Sequence, residues 1–130
     1  MGFVVDFDAR NKVLRVTLEG RVTDEIMFDA YATVAKYAAS KGPCRGITNL
    51  LPATKFEVSS NAIRQLASST PAFPIGYMRI LVAPSDYIFG MARMFQMLGD
   101  RTRPDLQIVR TLDEAYRLLQ IDSPEFTAVS

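Results

Sequence analysis

The run Ile80-Leu-Val-Ala83 follows a single arginine, Arg79, and stops at Pro84; the next segment, Ser85 to Leu98, is apolar with helical periodicity. An uninterrupted apolar stretch of this length bounded by proline reads as a buried strand. Ser85 and Asp86 then supply a cap and a first-turn acid for a helix that runs to Gly99. A buried strand leading straight into a capped helix is one unit of an α/β fold, and the chain repeats that order.

Phe3 to Phe7 and Val13 to Leu18 both have strand character, with turn chemistry in Asp8-Ala-Arg-Asn11, so a hairpin opens the chain. Gly20 is expected to end the strand region. Thr23 caps a helix with Asp24 and Glu25 in its first turn, running to about Ser40 before Gly42 and Pro43. Arg45 to Leu51 is a short strand and Leu51 to Phe56 a loop. Ser59 or Ser60 introduces a helix over Asn61 to Ser68, and Pro71 to Pro74 breaks the chain. Met78 to Ala83 is the buried strand, Leu106 to Val109 the last one. Thr111-Leu-Asp-Glu114 forms a capping box for a final helix through Leu119. The predicted order is β-β-α-β-α-β-α-β-α: a mixed five-stranded sheet with about four helices, in one domain over 1–122, with 123–130 a C-terminal tail. Right-handed crossovers make part of the sheet parallel.

Composition narrows the chemistry. The 130 residues are 48% hydrophobic and 22% charged, with a net charge of +1. That gives no basic face for nucleic acid. One cysteine, Cys44, excludes an internal disulfide and suits a reducing cytoplasm; it is read as an incidental surface thiol. With no histidine there is no imidazole base or ligand, so no metal or other cofactor is expected. No apolar run is long enough to span a membrane, and the opening MGFVVDFDAR has no signal-peptide pattern.

The helix over Ser85 to Leu98 is unusually rich in Met and Phe. At about 100° per residue, Asp86, Arg93 and Asp100 fall on one line, with Ser85 and Gln96 beside it. Tyr87, Ile88, Met91, Ala92, Met94, Phe95 and Leu98 form the opposite face, expected to pack on the sheet. Phe89 and Met97 project near the polar line with Arg93 between them, and Gly90 leaves room for a second backbone. An aromatic, a Met and an Arg together match the composition of protein interfaces. Phe89, Arg93 and Met97 are therefore read as a contact surface, most simply a homodimer seam. The acids Asp86 and Asp100 argue against a membrane-surface helix.

No nucleophile and base pair can be written from the sequence, so no catalytic residue is assigned. Ser59 or Ser60, Ser85 and Thr111 each precede a helix after a strand. In a parallel sheet such helix starts, Asp86 among their first residues, gather at one edge, where free N–H groups suit an anion. Serine and threonine are also simply the preferred caps. A phosphoryl group on Ser59 or Ser60 would sit favourably at a helix start.

Three segments, GRVTDE (Gly20 to Glu25), VAPSDYIFGMARMFQML (Val82 to Leu98) and VRTLDEAYRLL (Val109 to Leu119), resemble the SpoIIAA-like, or STAS/SEC14-like, family of small bacterial proteins. The resemblance implies a STAS-like fold and a role in protein–protein switching. STAS antagonists carry a phosphorylated serine where this chain has NLLPATKFEVSSN (Asn49 to Asn61), making Ser59 or Ser60 the positional counterpart. The Asp-x-Ser-Gly-type pattern of those proteins is absent here. The SEC14 side of the resemblance implies a lipid-like ligand. The expectation is a non-enzymatic, cytoplasmic interaction or regulatory domain, acting on itself as a homodimer or on a regulatory protein. The alternative is a module binding a small anionic or lipid-like ligand at the sheet edge.

Overall fold

The computed structural model describes residues 2–129. β1 (Phe3–Asp8) and β2 (Val13–Leu18) form the antiparallel hairpin, Phe3 opposite Leu18 and Asp8 opposite Val13. The Asp8 carboxylate shapes its turn by accepting from the Asn11 backbone N–H at 3.0 Å and its side-chain amide at 2.7 Å. Gly20 takes a left-handed φ of 64° and redirects the chain. It thereby starts a strand, β3 (Gly20–Thr23), where an end was expected. Thr23 caps α1 (Asp24–Lys41) by accepting the Ile26 N–H, and Gly42 follows the helix at φ 81°. Beyond β4 (Arg45–Asn49) the expected loop contains β5 (Ala53–Glu57), which pairs parallel with β3 in a separate two-stranded sheet. The chain continues through α2 (Ser60–Ser68), β6 (Arg79–Val82), α3 (Asp86–Leu98), β7 (Leu106–Val109), α4 (Leu112–Leu118) and β8 (Thr127–Ala128).

The main sheet is thus six-stranded, not five, in the order β7-β6-β4-β2-β1-β8. Strands β2, β4, β6 and β7 are parallel neighbours, and β1 and β8 are antiparallel, so the sheet is mixed. The additional strand lies in the segment read as a tail: Thr127 and Ala128 add to the outer edge of β1, and Val129 donates its N–H to the Val5 carbonyl at 3.0 Å. Two residues are too short to show any periodicity; the free edge of β1 recruits them.

Side chains alternate across the sheet and define two cores. Leu14, Val16 and Leu81 face α1, α2 and α3, meeting Ala30, Val34, Leu66, Ile88 and Phe95. Val13, Ile47, Ile80 and Val82 face the other way, onto Ala115 and Leu119 of the α4 segment. One helix suffices there because a polar cluster covers the remainder. Arg15 makes a two-pronged bond to Asp6 at 3.0 and 2.7 Å, donates to the Tyr116 hydroxyl, and lies 3.8 Å over the Phe126 ring. No helix is long and apolar enough to cross a membrane among the described residues.

Candidate functional site

Helix α3 lies over the β7 end of the sheet, packed on α2 and on β7, and so has a free outer side. Ser85 fixes its start by accepting the Ile88 N–H at 3.2 Å. Its buried stripe is Ile88, Ala92 and Phe95, with Met91 and Met94 partly covered. That stripe is narrower than the composition suggests. Tyr87 and Leu98, expected to pack on the sheet, are 61% and 50% exposed, and Met97 is 67% exposed. An edge helix has neighbours on fewer sides, so the flanks of its apolar face stay open.

Phe89 is only partly exposed: the Arg110 guanidinium covers its ring at 4.3 Å and also bonds the Asp86 carboxylate at 2.9 Å. Arg93 is exposed and donates to Gln96 at 3.3 Å. Gln96 in turn donates to the Leu106 carbonyl at 2.9 Å, blunting the edge strand β7. A side-chain carbon placed on Gly90 would meet nothing within 4 Å. The outer face therefore presents Gly90, Arg93 and Met97, with Phe89 at one margin and, at the other, Leu98 and Tyr87, whose ring meets Phe56 edge-on at 6.4 Å between centres. This differs from the predicted trio by placing Phe89 at a margin, with Tyr87 and Leu98 opposite.

The helix starts form two tied pairs. Asp24, in the first turn of α1, accepts the Ser59 N–H at 2.6 Å and the Ser59 hydroxyl at 2.7 Å. Ser59 also accepts the Ala62 N–H at 3.1 Å, while Ser60 stands exposed one residue on. At the other pair, Arg110–Asp86 bridges the start of α4 to that of α3, and Thr111 exchanges bonds with Glu114 at 3.2 Å. Each positive helix end already faces a carboxylate: Asp24 serves α1 and α2, Asp86 serves α3, Asp113 and Glu114 serve α4. Ser59, Ser85 and Thr111 are therefore caps within a self-satisfied edge, with Ser60 and Asp86 the first helical residues behind two of them.

Two arginines carry more of the local chemistry than the sequence suggests. Arg103, in a segment that reads as a solvated loop, is buried. It closes the end of α2, donating to the carbonyls of Ala67 (2.8 Å), Leu66 (3.1 Å) and Ser69 (3.1 Å) and to the Tyr31 hydroxyl (2.8 Å). Arg79, the residue that opens β6, points into the core between the sheet and α1 to α3. Its guanidinium lies 5.6 to 5.9 Å from the ring centres of Phe95, Phe73 and Tyr31. Its protein partner is the Thr48 hydroxyl at 3.3 Å, and its Nε is buried with none. Burial pushes the guanidinium down to about 10, with the Tyr31 hydroxyl opposing and the neighbouring Arg103 charge adding to the effect. Room for Phe73 beside it comes from Gly46, where a side-chain carbon would approach the ring to 2.4 Å.

Cys44 is buried, not on the surface, and burial raises its thiol pKa, as expected for an unreactive core cysteine. Among the described residues no group of three or more His, Cys, Asp or Glu is placed to hold a metal ion. No protein-family model, curated protein or solved structure matches the chain.

Proposed function

We propose that this protein is a non-enzymatic contact domain that associates with a second copy of itself through the outer face of α3. The observation that supports this reading is the concentration of large exposed apolar side chains on one helix, Met97 on its free side and Leu98 and Tyr87 along the adjoining flank. Gly90 lets another helix approach closely there. The resemblance to STAS-type proteins, which act by binding other proteins, points to the same class of function, and a regulatory partner using this face is its natural extension. The anion alternative draws little from the sheet edge, because the helix starts there are already paired with carboxylates.

Disulfide trapping tests the seam. Cys44 is buried, so a cysteine introduced by Gly90→Cys is the readily accessible thiol. Mild oxidation is expected to yield a covalent dimer from Gly90→Cys and none from a control such as Asp122→Cys on the far side. Equal crosslinking of both variants would sink the proposal.

A further inference from the structure

Arg79 stands at the inner end of a cleft between the sheet and helices α1 to α3. The walls are apolar: Met27, Leu50, Phe56, Ile63, Met91 and Phe95 among them. The cavity volume is about 50 Å³ and one side is open to solvent. Two features make this unlike an ordinary packing defect. A guanidinium placed in apolar surroundings ordinarily has a carboxylate beside it. Among the described residues, no Asp or Glu oxygen lies within ion-pair distance of Arg79; the four ion pairs involve Arg15, Arg21, Lys55 and Arg110. Furthermore, its buried Nε has no acceptor, and its one side-chain bond, to Thr48, is long. The neighbouring Arg103 spends its terminal nitrogens on backbone carbonyls and hydroxyls and does not line this cleft; its Nε also lacks an acceptor, but Arg79 is the guanidinium that faces the cleft.

We infer that this cleft binds a small monocarboxylate with a short aliphatic tail, its carboxylate on Arg79 and its tail along Met27, Met91 and Phe56. The charge follows from the one guanidinium that lines the cleft: a single carboxylate matches one guanidinium edge, whereas a phosphate dianion would bring a second charge against walls that are otherwise mostly apolar. The length follows from the volume, which at about 10–15 Å³ per water-sized group holds roughly three to five such groups. The flexible methionines at the wall can shift to admit slightly more. The site does not depend on how the outer face of α3 is used.

The test is a titration of the full chain with labelled methionine methyl groups, using sodium butanoate, 1-butanol, butylammonium and inorganic phosphate as probes. Butanoate is expected to give saturable shifts of the Met27 and Met91 signals, with butanol, butylammonium and phosphate each weaker by roughly tenfold or more. Arg79→Met is expected to lose the butanoate response while keeping a folded spectrum. Should that variant fail to fold, the comparison among the four probes on the unaltered protein still decides. Equal binding of butanol, tighter binding of phosphate than of butanoate, or no response at either methionine would each overturn the inference.

Discussion

Ser59 donates its hydroxyl to the Asp24 carboxylate at 2.7 Å while accepting the Ala62 N–H at 3.1 Å, so a single side chain closes one helix and ties it to another. Removing it by Ser59→Ala should lower stability by about 1–2 kcal/mol, the range of a lost N-cap. Ser60→Ala, next door and exposed, should stay within about 0.5 kcal/mol. Ser59→Glu should be worse than Ser59→Ala, because a second carboxylate then faces Asp24. Urea unfolding of the three variants reads all of this, and equal effects at Ser59 and Ser60 would refute the assignment.

Asp8 gives the fold an acid-sensitive latch. Burial alone raises its pKa, but the Asn11 side chain and the backbone N–H groups of Asn11, Glu125 and Arg10 outweigh it, so the carboxyl titrates below its ordinary value. A folded pKa below the unfolded one means the stabilisation is complete above the ordinary carboxylate range and is lost as pH falls through the folded value. Asp8→Asn should therefore lower stability at neutral pH by about 1–3 kcal/mol and flatten the acid limb of the stability curve. Denaturant midpoints measured from neutral to acid pH check the slope; parallel curves for the two proteins would contradict it.

Gly46 and Phe73 are matched in shape. A side-chain carbon at Gly46 would sit 2.4 Å from the Phe73 ring, so Gly46→Ala should cost about 1–3 kcal/mol. Phe73→Leu introduced with it should recover part of that loss, a coupling that a double-mutant cycle resolves. Strictly additive effects would mean that the ring does not oppose the substitution.

Arg103→Met should be among the most damaging single changes, at about 3 kcal/mol, because it strands the carbonyls of Leu66, Ala67 and Ser69 at the end of α2. Arg101→Ala, two residues away and exposed, serves as the neutral control within about 0.5 kcal/mol. Thermal melts of both variants check the contrast, and similar melting shifts would contradict the capping role.

The parts of the fold legible in the sequence are those whose signals are local. Thr23, Ser59, Ser85 and Thr111 all cap helices because a short hydroxyl ahead of a periodic segment needs only its own neighbours to act. What could not be read depends on distant partners. Ala53–Glu57 becomes a strand because Gly20 turns β3 out of the main sheet to meet it, and Thr127–Ala128 because β1 has a free edge. Arg103 reads as a solvated loop residue until α2 supplies it with carbonyls. Arg79 left one signal that could have been followed: a lone cation beginning an otherwise apolar strand must either reach the rim or turn inward, and here it turns inward, half-buried, along a cleft. For α3 the periodicity located the apolar side correctly through Ile88, Ala92 and Phe95. It overstated the width because sequence does not tell how many neighbours a helix has.

In the proposed homodimer the outer face of α3 is covered by a second copy of the chain. Sedimentation equilibrium of the unaltered protein beside Met97→Glu tests it most directly, since Met97 is two-thirds exposed and a charge there leaves the core untouched. A dimer mass is expected for the first, a monomer mass for the second, and the same unfolding midpoint for both when measured at dilutions where the dimer has dissociated. A monomer mass for the unaltered protein at high concentration, or a dimer that survives Met97→Glu unchanged, would contradict it.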